Sequence, residues 1–385
     1  MTHILGIVAD GRLFLVDENG EQTIHNSDFA EDIERRMDRI AEKKAWKNEG
    51  GGGMFGQGDT WGQQANISRI KPRIEAVIKG KDSENFAYLL TTEAVGAFLE
   101  YNTTEEYERR VFHKEGFFAN EFDRDPVSGR LICRFGRGDD ATQIALLDPD
   151  GRDPSPLTEG DALDGSPTWD RSKEDTILFH SAGLAYDKRG FIRGTGPYSI
   201  EQLDLSSSKL KTLLSSEVTD YLCPQKDSEG NLYFLSRSYE GPGGPKAPIL
   251  TTIKDTLLFP LRLIRSFIDF FQIFSQLVSK KPLSTAGGPK KNGPEPAQIW
   301  LYGRLLTPDK ESKDGSLASA DWKLKMRSPE DKETTIASHI LAYDLREDGT
   351  IVASDGRNLR LIKGKSNKIL TKIPLTESVR WISTP

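Results

Sequence analysis

Cysteine, histidine and excess positive charge are all scarce in this chain, and each scarcity closes off a class of function. Among 385 residues there are two cysteines and five histidines. Cys133 and Cys223 form no C-x-x-C pair, and His3, His25, His113, His180 and His339 fall into no H-x-x-x-H or H-E-x-x-H spacing. No zinc centre is expected, and no cofactor. The net charge is -6, which argues against a nucleic-acid partner, because neutralising phosphates needs a basic face. The opening stretch MTHILGIVADGRLFLVDENG lacks a basic run, a long apolar core and a small-residue cleavage site. It does not read as a secretory leader, so a cytoplasmic chain with free buried thiols is expected.

Signatures of catalysis are missing too. No G-x-S-x-G nucleophile elbow occurs. The glycine run from Gly50 to Gly53 is not followed by Lys-Ser or Lys-Thr and has no strand-loop-helix context, so it reads as a flexible loop and not a phosphate cradle. Asp148, Asp150 and Asp153, and likewise Asp123 and Asp125, sit in short acidic turns without the long loop and terminal Glu of a calcium hand. Aspartate and glycine are what hairpin turns use. Arg137-Gly138-Asp139 spells an adhesion tripeptide that a cytoplasmic chain would carry by chance.

What the chain does have is a recurring strand-turn-strand grammar. SPTWD runs through a polar turn into TILFHS (166–181), FFANEF through DRDPVSG into RLICRF (117–135), and YLCPQ through KDSEG into NLYFL (221–235); ILAYDLREDGTIVA (340–353) repeats it. The second run of each copy is β-branched and aromatic and too short for a helix. Gly129, Gly230 and Gly349 close three of the turns, where positive φ is needed. A period of about 40–50 residues points to propeller blades. The copy at 166–179 resembles the TolB-type, WD40-like repeat, whose unit reads S-P-x-W-S-x-D-G-x-x-I-x-F. That resemblance implies a fold and, by itself, no activity.

The fold class expected is all-β: a single six-bladed β-propeller domain over 1–385 with two helical insertions. Three short strands at 4–9, 13–16 and 22–24 need a fourth, and 378–382 (SVRWI) supplies it, making a composite blade that closes the ring and removes exposed sheet edges. Blade two is expected at 73–78, 86–91, 95–101 and 107–112, and blade three at 117–122, 131–135, 143–147 and 155–157. Blade four takes 166–169, 176–180, 198–205 and 210–214, with a Gly-rich excursion at 190–197. Blade five takes 221–224, 232–236, 298–304 and 322–326, and blade six 338–344, 351–354, 359–362 and 368–371. Trp61, Trp169, Trp300, Trp322 and Trp381 are expected in the core or between blades.

The first insertion, 26–66, places Phe29, Ile33, Met37 and Ile40 at helical spacing, with Asp28 and Glu31 as a capping box. The second, 241–296, is bounded by Gly-Pro arms and holds an apolar amphipathic helix at 256–278. Its polar stripe is narrow: Arg262, Arg265, Asp269, Gln272 and Gln276. The apolar arc carries the candidate partner- or membrane-binding residues Leu257, Leu258, Leu261, Ile264, Phe267, Ile268, Phe271, Phe274, Leu277 and Val278. Such an arc is too wide for a helix resting on a soluble domain with its back to water. It can dock into a partner's groove, lie in a membrane surface, or pack back on the propeller. The reading is a non-catalytic interaction scaffold, with two alternatives: a hydrolase or lyase using the channel mouth, and a peripheral membrane adaptor.

Overall fold

Short apolar strands cannot bury both faces as isolated hairpins, and in the computed structural model they are gathered into the sheets of a six-bladed β-propeller. The structure describes residues 3–49, 71–82, 84–92, 95–136, 141–241, 299–307 and 315–383. Blade one begins with β1 (His3–Ala9), β2 (Arg12–Asp17) and β3 (Gln22–His25), and helix α1 (Asp28–Glu49) follows it. Blade two is β4 (Arg73–Lys79), β5 (Asn85–Thr91), β6 (Val95–Asn102) and β7 (Tyr107–Glu115). Blade three is β8 (Ala119–Arg124), β9 (Leu131–Phe135), β10 (Gln143–Leu147) and β11 (Ser155–Pro156). Blade four is β12 (Ala162–Trp169), β13 (Thr176–Tyr186), β14 (Ile192–Thr195), β15 (Ser199–Asp204) and β16 (Lys209–Leu214). The stretch expected to be a plain Gly-rich excursion therefore holds a strand, β14, which pairs with the far end of β13.

Blade five departs further from expectation. After β17 (Thr219–Lys226) and β18 (Leu232–Ser238), the chain forms a small separate hairpin, β19 (Ile299–Leu301) and β20 (Arg304–Leu306), and then supplies β21 (Lys323–Arg327) and β22 (Glu333–Ser338). Residues 298–304 are thus not a blade strand, and Trp300, expected in the core, is 60% exposed. The apolar run misled because Ile299 alone among its first residues turns inward, with Leu306 opposite it. Ser338 ends blade five and does not open blade six, whose strands are β23 (Ala342–Leu345), β24 (Ile351–Ser354), β25 (Asn358–Lys363) and β26 (Ser366–Lys372).

The ring closes as expected. β27 (Thr376–Trp381) pairs antiparallel with β1, from Leu5↔Trp381 to Ala9↔Thr376, and becomes the innermost strand of blade one. Gly6 lies on this seam, where an added Cβ would come within 3.0 Å of methyl groups of Val77 and Ile382, so blades one and two approach too closely for a side chain. The core sits in the wedges between blades. Trp169, Ile177 and Phe179 of blade four pack against Ile132 and Ile144 of blade three, while Leu5 and Ile7 of blade one pack with Val352 and Leu359 of blade six. Each such side chain contributes roughly 1.5–3 kcal/mol by leaving water.

Helix α1 forms where the spacing of its apolar residues placed it, but its cap differs. Ser27, and not Asp28, is the N-cap: its Oγ accepts the Ala30 N–H at 3.2 Å, and Glu108 from β7 accepts the Phe29 N–H at 3.0 Å. Phe29, Ala30 and Ile33 pack on the blade-two core, whereas Ile40 is exposed. Beneath the cap, His25 is buried in a box of Phe86, Tyr88 and Tyr101. Burial pushes its imidazole down to about 4, against the opposing pull of Asp28.

That depression sets a pH dependence. The unfolded chain takes the His25 proton near pH 6.5, while the folded chain refuses it until about 4. The associated stability is complete above pH 6.5 and is lost as pH falls toward 4, amounting to about 2 kcal/mol between pH 7 and pH 5. Urea unfolding of wild type and His25→Gln at these two pH values checks this. The variant's stability should fall less, and parallel losses would refute the assignment.

Candidate functional site

The innermost strand of each blade is β27, β4, β8, β12, β17 or β23, and the six together wall a central channel. Two cavities divide it along every one of these strands. The first, of about 330 Å3, takes residues such as Glu121, Ser166, Cys223 and Tyr343, and the second, of about 300 Å3, takes those further along, such as Arg124, Trp169, Asp227 and Arg346. Arg380 reaches both.

Bulges aim the side chains of the first cavity. β8, β12 and β17 each slip register against their outer neighbour, between Asn120 and Asp123, Gly165 and Thr168, and Leu222 and Gln225. At each slip one residue sits in the left-handed region: Glu121 at φ 51°, Ser166 at 46° and Cys223 at 51°. A bulge bends the strand and turns a side chain that regular pleating would have sent elsewhere. These three bulge residues connect. Glu121 Oε2 accepts the Ser166 N–H at 2.7 Å, Ser166 Oγ lies 3.5 Å from Cys223 Sγ, and the Cys223 thiol donates to Tyr302 Oη at 3.0 Å.

Tyr302 comes from the tip of the β19–β20 hairpin. Tyr302 and Gly303 both have positive φ, 48° and 73°, as a tight two-residue hairpin turn requires. A buried ion pair anchors this tip: Arg237 Nε donates to Asp220 at 2.8 Å while its Nη2 donates to the Tyr302 carbonyl at 2.6 Å. His180 on β13 completes the cluster, edge-on to Tyr198 and Tyr302, with Nδ1 accepting the Cys223 N–H at 3.2 Å. Gly165 makes room for it, since a Cβ there would lie 2.7 Å from His180 Nε2 and 2.9 Å from Glu121 Oε2.

Inner-strand residues, three of them just beyond the bulges, tie blade to blade. Asp123 accepts the Trp169 N–H at 2.8 Å, Thr168 donates to the Pro224 carbonyl at 2.7 Å, Gln225 accepts the Leu345 N–H at 3.0 Å, and Asp344 accepts the Trp381 N–H at 2.8 Å. Four of the six blade junctions are thus stapled from the inner strands. Thr168 of the S-P-T-W segment is one of these staples.

Cys223 and His180 are neighbours without being an activated pair. Burial pushes the Cys223 thiol up to about 11, although its hydrogen bonding with Tyr302 and Ser166 pulls the other way. Burial, reinforced by Arg134 and Arg237, holds His180 well below its usual value, so its ring is neutral, and its Nδ1 lone pair already accepts a backbone amide. A thiolate nucleophile needs the reverse of both shifts. Cys133 is fully buried, and burial raises its pKa as well. Asp148 and Asp125 accept N–H groups of their own turns, and Asp150 pairs with Lys81 at 2.7 Å. Among the described residues, no cluster of His, Cys, Asp or Glu is arranged to hold a metal ion.

The binding residues expected from the sequence, Leu257, Leu258, Leu261, Ile264, Phe267, Ile268, Phe271, Phe274, Leu277 and Val278, lie outside the described residues, as do Trp61 and Arg137-Gly138-Asp139. Among the described residues no helix is long and apolar enough to cross a membrane. The channel cluster went unread because its members lie far apart in sequence. The signal that could have found it is the Ser-Pro and Cys-Pro pair at equivalent points of β12 and β17, each marking a bulge.

No protein-family model and no curated protein matches the chain. Among solved structures, TolB from Acinetobacter baumannii superposes with a TM-score of 0.50 at 10% identity, over 100% of this chain and 67% of that one. A chain of the nidogen/laminin complex gives 0.49 at 7% identity, over 98% and 97%, and the tricorn protease gives 0.45 at 12%, over 96% and 33%. At these identities the likeness is one of fold, and the fold is a TolB-like six-bladed propeller.

Two substitutions test the channel architecture. Asp344→Ala removes the acceptor for the Trp381 N–H and the partner that Arg380 meets at 3.3 Å. Because the Trp381 N–H and the half-buried Arg380 both lose their carboxylate partner, although Arg380 keeps the attraction of Asp123, urea unfolding should show a loss of about 1–3 kcal/mol; a loss below about 0.5 kcal/mol would mean the staple carries no weight. Gly165→Ala should cost about 1–3 kcal/mol through overpacking. Most of that cost should vanish in the His180→Ala background, and additive losses would show that the two positions do not clash.

Proposed function

We propose that this TolB-like propeller is a non-catalytic platform for protein interaction, and that segment 256–278 is the element it presents to a partner. The observation that carries this reading is that blade five is complete without the insertion. β18 pairs with β21 in unbroken register from Leu232↔Arg327 to Ser236↔Lys323, although β18 ends at Ser238 and β21 begins at Lys323. The propeller unit comprises 1–239 and 297–385. Among the described residues, the four strands of the blade-five sheet are β17, β18, β21 and β22.

Leu261, Ile264, Ile268, Phe271 and Phe274 recur at the three- and four-residue spacing with which an amphipathic helix fills a groove. A protein groove suits the segment better than a bilayer surface, because its polar stripe carries only Arg262 and Arg265 as cations, with Asp269 between the same rows. The propeller contributes rigidity, since a closed ring with stapled junctions holds its loops in fixed positions. A hydrolase or lyase at the channel mouth is the competing reading. The raised Cys223 thiol and the neutral, occupied His180 weigh against it.

Replacing 243–293 by a short Gly-Ser linker separates these readings. The variant should keep the β-rich circular dichroism and melting temperature of the full chain but lose the proteins that cross-link to the full chain in its own cells. An unfolded variant, or one with unchanged cross-links, would overturn the proposal. Flotation of the full chain with zwitterionic vesicles would do so as well, by assigning the segment to a bilayer.

A further inference from the structure

The first cavity of the channel holds hydrogen-bonding groups that the fold leaves open. His180 lines it and is 3% exposed. Its Nδ1 accepts the Cys223 N–H and burial keeps the ring neutral, so the ring hydrogen sits on Nε2. Among the described residues that hydrogen meets no acceptor, and Nε2 is not sealed from the cavity. Near it stands Glu121, turned inward by the bulge of β8. Its Oε2 accepts the Ser166 N–H at 2.7 Å, which uses one of two lone pairs. Its Oε1 lies 3.8 Å from Arg134, near enough to balance charge but too far to be hydrogen-bonded. The place a Cβ on Gly165 would take is 2.7 Å from His180 Nε2 and 2.9 Å from Glu121 Oε2, so one bridging atom reaches both. That atom has to accept from the imidazole and donate to the carboxylate. A hydroxyl oxygen does both, whereas a carbonyl oxygen or an amide N–H does one only.

Charge on this wall is largely balanced from within. Arg134 faces Glu121, Arg380 meets Asp344 at 3.3 Å, and Arg73 stands 3.7 Å from both Glu75 and Glu377. Burial lifts Glu377 and Asp164 above the usual carboxylate range, which opposes ionisation of both. The wall therefore suits neutral hydrogen bonding better than a bare ion. Trp300 of β19 also lines the cavity; it is 60% exposed and packs on no other ring among the described residues. Because Arg237 holds the tip of its hairpin, the indole is presented from a fixed element. An open indole face carries the negative side of the ring quadrupole, and it attracts the weakly positive C–H groups on the face of a saturated ring. At about 330 Å3 the cavity is within the range of small-molecule sites.

We infer that the first cavity binds a neutral polyhydroxylated ligand of one or two rings, a sugar or cyclitol, with one hydroxyl between His180 Nε2 and Glu121 and a ring face against Trp300. Glu121 Oε1 is left to accept from a neighbouring hydroxyl. Nothing in this arrangement breaks a bond, so the site is one of recognition. It neither needs nor uses segment 256–278.

The test titrates the full chain with glucose, galactose, maltose, cellobiose and myo-inositol, read by saturation-transfer NMR and by tryptophan fluorescence. At least one of them should bind saturably at a single site. Glu121→Gln and Trp300→Ala should each weaken that ligand by about tenfold or more in the NMR titration. Phe191→Ala, which removes an exposed ring outside the cavity, should leave it unchanged. Should Glu121→Gln fail to fold, Trp300→Ala carries the test, since that side chain is exposed. Absence of saturable binding by all five, which would leave only water as the bridge, overturns the inference, as does equal affinity in wild type and both cavity variants. Residues 240–296 are untouched throughout, so failure here would leave the platform reading standing.

Discussion

Ring closure is the constraint on which this structure depends. Each wedge of apolar core is shared by two blades, so no blade buries its strands until both neighbours are present. Pairing of β27 with β1 supplies the last neighbour, bringing Trp381 against Leu5 and joining the first and last blades into one hydrophobic cluster. Opening that seam would leave an unpaired strand edge and an open wedge together, both liabilities for a β-rich chain.

Inside the ring, the inner strands do two jobs within a few residues of each other. Bulge residues Glu121, Ser166 and Cys223 turn into the channel, and the residues immediately after them, Asp123, Thr168 and Gln225, reach across to the next blade. Polar groups near the axis are thereby held by one another and by neighbouring backbones. The β19–β20 hairpin adds Tyr302 to the same network from outside the blades, held by the Arg237–Asp220 pair. The first cavity is consequently lined by a connected polar network, with a thiol and an imidazole both held in their neutral forms.

Function in such a ring comes from what is added to it. The insertion between β18 and β21 interrupts blade five in sequence without interrupting it in space, because an antiparallel ladder needs only its two strands and tolerates any length of chain between them. The helix α1 illustrates a smaller addition of the same kind: its first turns dock by Phe29 and Ile33, while Ile40 is exposed.

Much of this architecture was legible in the chain. Alternation of short β-branched and aromatic runs with polar turns placed the strands of blades two and three within about three residues and the last three strands of blade six within two, while the first strand of blade six begins four residues later than expected; SVRWI announced the closing strand, because local turn chemistry and strand length are properties of contiguous residues. Blade five was misjudged where an apolar run, 298–304, served a hairpin instead of a blade, since periodicity reports that a strand has a buried face but not which sheet it joins. Ser27 displaced Asp28 as the helix cap because Glu108, far away in sequence, supplied the second acceptor. The channel was decided by tertiary structure alone. Cys223, His180 and Tyr302 meet only because six blades converge on one axis. A one-residue bulge, which changes no periodicity that a sequence displays, determines which side chain each blade turns toward it.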